Sequence, residues 1–245
     1  MSWSLRATAA SRAAADKPSR NRLLAALPQA DRARLLAASK PVELVFAETL
    51  YAPGARIRHV YFPLDGFISD IATIDGHAAL EVGLIGNEGM CGIALALGVN
   101  VSANRAVVQG AGTALRIGAA NFRRELKRSV ALRSLLNRYV SVLLIQLAQT
   151  ASCISAHLVK QRLARWLLMS HDRAHADTFS VTHAFLAGML GVRRVGVTEA
   201  AGALQSRQLI RYARGRVKIV DRHGLEAAAC GCYAIDRDTY RQVLG

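Results

Sequence analysis

Two groups of cysteine and histidine residues have side chains that could bind a metal or act as nucleophiles. Cys153 and His157 are spaced i, i+4, which would place a thiol and an imidazole on one helix face. Cys230 and Cys232 lie near His223, but one intervening residue is shorter than the usual spacing of zinc-binding cysteines. Two ligands do not make a site, and a buried cysteine near a satisfied histidine is the simpler interpretation. We therefore predict no metal site, and a thiol- or metal-dependent enzyme using Cys153 and His157 remains an alternative.

Motifs of other enzyme classes are missing from the sequence. His171 and Asp172 are adjacent, so their side chains point in different directions, and no serine or cysteine nucleophile motif accompanies them. The sequence also has no glycine loop with a lysine for binding phosphates. We expect a protein that is not an enzyme, with no catalytic residues and no cofactor.

The stretch from 179 to 219 carries residues that could read a nucleic acid. Thr182 can cap a short helix, Gly191 permits a sharp turn, and a second helix begins at about Arg193. The apolar positions of the first helix recur at helical spacing: Phe185, Leu186, Met189 and Leu190. This order is typical of a helix-turn-helix.

The second helix has two distinct faces. Val197, Ala200 and Leu204 share an apolar face, and the residues on the opposite face are Arg194, Val195, Thr198 and Glu199. After it, apolar residues alternate around the Arg214-Gly215 turn, which predicts a β-hairpin wing. A plain helical pair with a hairpin that never touches nucleic acid is the alternative.

Composition and charge limit the function classes. The 245 residues are enough for two domains, and 32 basic against 17 acidic residues give a net charge of +15. This charge favours binding to a polyanion, either nucleic acid or an acidic membrane surface. The sequence shows no apolar run approaching the roughly 18 residues that span a bilayer, so we expect no membrane partner. Four scattered cysteines suit a reducing cytoplasm better than a disulfide framework.

The remaining chain divides by its hydrophobic pattern. Residues 1–20 are expected to be a disordered leader, and residues 21–39 predict two short helices broken at Pro28. From Val42 to Ile117, short apolar segments alternate with turn signals, which predicts a small β-barrel or sandwich. The turn signals are Pro53-Gly54, Pro63, Asp65-Gly66, Asp75-Gly76 and Gly110. From about Asn121 to Ile154 a long apolar stripe predicts a helix of more than 25 residues. A helix of that length is expected to pack against a second copy of itself, with burial within one chain as the alternative.

This order of elements resembles the Crp/Fnr family of bacterial transcription regulators over nearly the whole chain. Three motifs carry the resemblance. Residues 182–194 look like the family's helix-turn-helix, and residues 209–219 look like its wing. Residues 86–92, together with Arg105-Ala106, look like its phosphate-binding cassette. The resemblance implies an α+β fold: an N-terminal cyclic-nucleotide-binding-like β-roll (21–128), a dimerisation helix (129–156) and a C-terminal winged helix-turn-helix (157–245).

The resemblance also implies a function and partners. It implies a cytoplasmic, homodimeric, sequence-specific regulator that binds double-stranded DNA and RNA polymerase. The alternative is a small-molecule sensor whose basic C-terminal domain binds protein. The expected DNA contacts are Arg193, Arg194, Val195, Thr198, Glu199, Thr182 and Lys218.

The same resemblance implies effector-binding residues, with departures. The candidates are Glu88, Gly92, Arg105 and Ala106. Cyclic-nucleotide binders have a glutamate after the glycine, where this chain has Ile93, so we expect an effector other than cyclic AMP. The iron–sulfur members carry an N-terminal cysteine cluster, and the first cysteine here is Cys91, so that cofactor is not expected.

Overall fold

The structure, a computed structural model, describes residues 20–74, 77–174 and 176–245. The predicted disordered leader and the Asp75-Gly76 turn lie outside these residues, apart from Arg20. The helices are α1 (Arg22–Ala25), α2 (Gln29–Ala37), α3 (Ala119–Arg128), α4 (Val130–Ala156), α5 (Val159–Ala174), α6 (His183–Leu190), α7 (Arg194–Ser206), α8 (Arg222–Ala228) and α9 (Cys232–Leu244). The strands are β1 (Ser39–Leu44), β2 (Thr49–Tyr51), β3 (His59–Ile74), β4 (His77–Ile85), β5 (Arg105–Gly118), β6 (Thr178–Ser180), β7 (Ile210–Ala213) and β8 (Arg216–Ile219).

The N-terminal half is an antiparallel β-roll, as predicted. Its strands follow the order β1-β5-β3-β4, and β2 pairs with the start of β5. The long strands β3 and β5 form the centre of the sheet, and a 3-10 helix, Ile93–Leu97, lies between β4 and β5. The roll surrounds one apolar core, to which α1, α2 and α3 also contribute.

Three of the predicted turn signals lie inside strands instead. Pro63 and the Asp65-Gly66 pair fall within β3, where the register with β5 shifts, so they form bulges. Gly66 has a φ of 72°, and a Cβ there would lie 2.7 Å from the Ala111 carbonyl oxygen. Gly110 lies within β5, where the Phe67 ring occupies the space of its missing side chain. These glycines therefore allow close approach of two strands and do not end them.

The predicted long helix is two helices. Its N-terminal part is α3, and Ser129 has an extended backbone with a side chain that accepts a hydrogen bond from Leu132 N at 2.9 Å. Ser129 thus caps a new helix, α4, of 27 residues. The apolar stripe continues across this break, which is why the pattern alone predicted one helix.

One face of α4 packs within its own chain. The residues buried against the β-roll include Leu132, Leu135, Leu136, Tyr139 and Val142. Nearer its C-terminal end, α4 packs against α9, a contact that the sequence did not predict. Leu136 is therefore a core residue of the single chain and does not belong to a face that a second copy could cover.

The opposite face of α4 is exposed at heptad spacing. The exposed positions at alternating steps of three and four residues are Ser134, Asn137, Ser141, Leu144, Ala148, Ala151 and Ser155. Leu144 is 63% exposed, and it is flanked by Ile145 at 43% and Leu147 at 46%. We call this surface, including the two flanking residues, the α4 stripe.

One helix has the length and mean hydropathy of a membrane span, although no uninterrupted apolar run in the sequence reaches that length. Among the described residues α4 is the one helix that meets both criteria, with a mean hydropathy of 1.4 over its most apolar window. Uncharged polar residues such as Ser141 and Gln146 interrupt its apolar residues. A single such helix is a weak indication, and the packing of α4 on the roll and α9 favours a structural role.

The C-terminal half has its own core, built by α5 to α8 and a three-stranded sheet in the order β6-β8-β7. Helix α5 continues to Ala174, and Thr178 begins β6. This half packs on the roll through Met189 of α6, which contacts Ile71 and Val107. The helix-turn-helix is thus docked on the sensor-like half of the same chain.

Candidate nucleic-acid interface, effector region and cysteine cluster

The turn between α6 and α7 has the geometry that the sequence predicted. The Thr182 side chain accepts a hydrogen bond from Phe185 N at 3.1 Å and caps α6. Gly191 ends α6 with a φ of 60°, in the left-handed region that favours glycine. Arg193 is the extended N-cap residue of α7, so the second helix begins where it was expected.

Helix α7 presents one face to the core and one to solvent. Val197, Ala200, Ala201 and Leu204 are buried against the other helices of this half. The exposed residues are Arg193, Arg194, Val195, Thr198 and Glu199, and Val195 is 60% exposed. The predicted reading residues therefore share one surface. An exposed valine at this position has no packing role within the chain.

A histidine and a tyrosine, which sequence reasoning missed, support this surface. His183 stacks on Tyr212 with ring centroids 4.3 Å apart, and its Nδ1 lies 3.0 Å from Thr198 Oγ1. Thr198 Oγ1 also donates to the Arg194 carbonyl oxygen at 3.1 Å. Burial lowers the pKa of His183, and the nearby Arg194 charge lowers it further. The His183 imidazole is therefore neutral at physiological pH. The Thr198 hydroxyl is thus engaged within the protein and holds α7 against α6.

The hairpin predicted as a wing is formed by β7 and β8. Arg214 and Gly215 at its tip have φ values of 48° and 72°, which is the pattern of a type I′ turn. Lys218 is exposed and lies opposite Arg211 in the register. Further exposed arginines lie near it, at positions 207, 211, 214 and 216, whereas Lys218 is the one predicted DNA contact in the wing. A local count of basic residues in 207–218 would have found them.

Glu88, proposed as an effector ligand, instead joins the two halves of the chain. It is buried, and its Oε1 accepts a hydrogen bond from Arg173 Nε of α5 at 2.7 Å. The neighbouring glycines provide space for this contact, since a Cβ on Gly86 would lie 2.6 Å from Arg173 Cγ. A Cβ on Gly89 would overlap the hydroxyl of Tyr139, which accepts from Met90 N at 3.2 Å. The glycine-rich stretch therefore serves as the docking point of α4 and α5.

The other effector candidates do not form a common pocket with Glu88. Gly92 has a φ of 92° and precedes the 3-10 helix, in which Ile93 packs against the roll core. Arg105 is exposed at the first position of β5, and Ala106 is buried beside it. Glu88 lines a cavity between α1 and α9, and Gly92, Arg105 and Ala106 are not among the residues that line it.

A buried carboxyl group connects the roll to the helix-turn-helix half. Ser69 Oγ and Trp166 Nε1 donate to Glu81 at 2.6 and 2.8 Å. Burial raises the pKa of Glu81 to about 7, outweighing these two hydrogen bonds and the nearby Arg173 and Arg165 charges, which lower it. Glu81 lines a small cavity between α4, α5 and β4. This glutamate was not identified from the sequence, because its partner is 85 residues away.

The cysteine and histidine pairs form one cluster. Ligand atoms of Cys153, His157, Cys230 and Cys232 all lie within 4.8 Å of one another, and all three cysteines are buried. In the sequence the two pairs are far apart, and His223, the histidine near Cys230 and Cys232, is not in the cluster. The packing of α9 on the end of α4, which no local pattern indicates, brings the pairs together.

The thiols of this cluster differ in acidity. The hydrogen bond from Cys230 and the nearby Arg165 charge lower the pKa of Cys153. The same pairing with Cys153, together with burial, raises the pKa of Cys230. Ionisation of one thiol of the Cys153–Cys230 pair therefore opposes ionisation of the other.

Comparison with known proteins agrees with this architecture. Residues 161–228 match the model of the Crp-like helix-turn-helix domain. A search against curated protein sequences found no match. Among solved structures, FixK2 from Bradyrhizobium japonicum is similar with 12% identity and a TM-score of 0.65, over 78% of this chain and 98% of that one.

Two further solved structures show the same fold. The c-di-GMP responsive global regulator CLP of Xanthomonas campestris has 18% identity and a TM-score of 0.63, over 78% of this chain and 99% of its own. TTHA1359, a CRP/FNR family transcriptional regulator from Thermus thermophilus, has 21% identity and a TM-score of 0.64, over 78% of this chain and 98% of its own. Residues 161–228 thus match a Crp-like helix-turn-helix domain, and over 78% of its length the chain has the fold of the CRP/FNR family regulator TTHA1359.

Proposed function

We propose that this protein is a cytoplasmic, dimeric transcription regulator, not an enzyme, that binds double-stranded DNA sequence-specifically and acts on RNA polymerase. In this proposal residues 21–128 are the sensor domain, residues 129–156 the dimerisation helix and residues 157–245 the DNA-binding domain. The observation that carries it is the outward face of α7, where Arg194, Val195 and Glu199 are exposed beside a basic wing.

The exposed residues of α7 have the chemistry that base reading needs. We assign Arg194 to guanine O6 and N7, which a guanidinium contacts with two parallel hydrogen bonds, and Glu199 to the amino group of cytosine. Val195 suits the methyl group of thymine. Thr198 completes the face, and because its hydroxyl is bonded within the protein, it positions α7 for the neighbouring residues.

Residues around this face are suited to phosphate contacts. Arg193 precedes α7, Lys218 lies on the wing, and Thr182 lies at the N-terminus of α6, where backbone amides favour an anion. Phosphate contacts fix the position of the protein on DNA without reading sequence. Together with the net charge of +15 they supply the nonspecific part of the affinity.

The α4 stripe is the proposed dimer interface. Its heptad spacing suits a parallel pair of helices, and the small residues Ala148, Ala151 and Ser155 let two helices approach closely. Two α7 helices in such a dimer would read half-sites about 34 to 36 Å apart, which predicts a palindromic operator.

The effector is proposed to differ from cyclic AMP. The residue after Gly92 is Ile93, which packs against the roll core and cannot accept a hydrogen bond from a ribose hydroxyl. Glu88 cannot replace the missing acceptor while it pairs with Arg173. Burying the ribose hydroxyl without a hydrogen-bond partner would weaken the binding free energy of cyclic AMP by about 1 to 3 kcal/mol.

Selection of bound fragments from random double-stranded DNA tests the proposed function. We expect a palindrome to be enriched, and its affinity to fall steeply as salt rises, because each neutralised phosphate releases counterions. If no sequence were enriched and the affinity for DNA were negligible at low salt, the basic surface would bind protein instead and the proposal would be wrong.

A further inference from the structure

We propose that Cys153, His157, Cys230 and Cys232 form a Zn²⁺ site that fastens the last helix, α9, to the end of the long helix α4. The metal site itself is independent of the proposed DNA binding. Its consequence for DNA affinity, given below, rests on that proposed function.

The distances between the ligand atoms suit a tetrahedral ion. Cys153 Sγ lies 3.5 Å from Cys230 Sγ, and Cys232 Sγ lies 3.6 Å from His157 Nδ1. With Zn–S bonds of about 2.3 Å and a Zn–N bond of about 2.0 to 2.1 Å, tetrahedral angles give about 3.8 Å between sulfurs and about 3.6 Å between sulfur and nitrogen. The remaining pairs of ligand atoms lie within 4.8 Å of one another, so small side-chain movements would let the four donors surround one Zn²⁺.

The donor set selects the metal. Three thiolates and one imidazole in a closed four-ligand arrangement are typical of structural zinc sites, whereas magnesium and calcium require oxygen ligands. All three cysteines are buried and reduced, so the thiols are shielded from competing reactions. On binding, three thiol protons leave to solvent and the sulfurs bind Zn²⁺ as thiolates.

The surroundings of the cluster suit the charge of the complex. Zn²⁺ with three thiolates and a neutral imidazole carries one net negative charge. Arg165 supplies a neighbouring positive charge, and its position is fixed by hydrogen bonds to Asp236 at 2.5 and 3.0 Å. Gln149 Nε2 donates to Cys232 Sγ at 2.9 Å. Hydrogen bonds to ligand sulfurs and nearby cations are the usual outer partners of thiolate metal sites.

The position of the cluster gives the metal a structural consequence. His157 is the C-cap residue of α4 and lies in the short connection to α5, while Cys230 and Cys232 lie where α8 passes into α9. One ion would therefore join the long helix, its connection to the helix-turn-helix and the last helix. If α7 reads DNA from an α4 dimer, removing the metal should loosen this connection and weaken DNA binding.

The test measures metal in the untagged, reduced full chain. We expect one zinc per chain by elemental analysis. After exchange, Co²⁺ should give the visible bands of a tetrahedral ion together with thiolate charge transfer. Substituting a residue that only hydrogen-bonds to a metal ligand typically weakens metal affinity by about tenfold or more. Loss of a ligand itself, in Cys153→Ser or Cys232→Ser, should therefore weaken Zn²⁺ affinity by at least about tenfold. The matched controls Cys91→Ser and His223→Asn, outside the cluster, should retain full metal content.

Further variants separate loss of metal from loss of folding. His157→Cys should keep the metal with a four-sulfur spectrum, because it preserves four ligands. The proposal would be overturned if the protein contained no metal and gave no Co²⁺ spectrum. It would also be overturned if protein purified under reducing conditions contained a Cys153–Cys230 disulfide. Unchanged metal content in a combined Cys153→Ser, Cys232→Ser variant would also overturn it. Zinc binding without any DNA binding would refute the proposed function and leave the metal site standing.

Discussion

The carboxyl group of Glu81 should titrate near neutral pH and couple protonation to the contact between the two halves of the chain. Burial raises its pKa from 4.5 to about 7. At about 1.36 kcal/mol per pKa unit, ionising Glu81 in the folded protein costs about 3 kcal/mol more than ionising an exposed glutamate. Because the folded state binds this proton more tightly than the unfolded state, the contribution of Glu81 to stability is largest at acid pH. It is lost as pH rises from about 4.5 to about 7.

Tryptophan fluorescence reports this titration directly. Trp166 donates to Glu81, and the chain has one other tryptophan, Trp3, which Trp3→Phe removes. In the Trp3→Phe protein we expect a fluorescence transition with a midpoint near pH 7, which Glu81→Gln abolishes. Glu81→Gln should also raise the free energy of unfolding at pH 8 by up to about 3 kcal/mol and leave it nearly unchanged at pH 4. A midpoint near 4.5, or a transition that persists in Glu81→Gln, would refute the burial argument.

Two further predictions concern the dimer and the effector. Leu144→Glu together with Ile145→Glu should convert the dimer to monomers, because both side chains are exposed on the α4 stripe, whereas Leu136→Glu should unfold the chain. Analytical ultracentrifugation and circular dichroism distinguish these results, and a dimer that survives both stripe substitutions would place the interface elsewhere. Cyclic AMP should show no submicromolar binding by calorimetry, since Ile93 offers no acceptor to the ribose, and tight binding would contradict this assignment.

The order of elements and the faces of α7 could be predicted from the sequence, because both depend on local patterns. Each local signal affects the backbone only within a few residues of itself, and each has the conformation that its residue type favours. These signals are Thr182, Gly191 and the Arg214-Gly215 turn. The buried side of α7 followed from helical periodicity for the same reason.

Features that depend on distant packing could not be predicted. Gly66 resembles a turn residue in the sequence, but in the fold it permits close approach of two strands. The break at Ser129 is a different case, because its cap is local but the apolar stripe continues across it. The contact of Glu88 with Arg173 joins residues 85 positions apart, and the family resemblance that implied an effector ligand did not reveal it. The cysteine cluster likewise requires α9 to pack on α4, which no local spacing encodes.

The most direct test of the central claim compares the base preferences of an arginine variant and a lysine variant. Arg194→Ala should lose discrimination at one position in each half-site, at a cost of about 1 to 3 kcal/mol per bidentate contact. Lys218→Ala should keep every base preference, weaken binding to all sequences alike and reduce the slope of log affinity against log salt by about 1. If Arg194→Ala kept the wild-type preferences with uniform weakening, Arg194 would bind phosphate, and α7 would not read DNA in the way proposed.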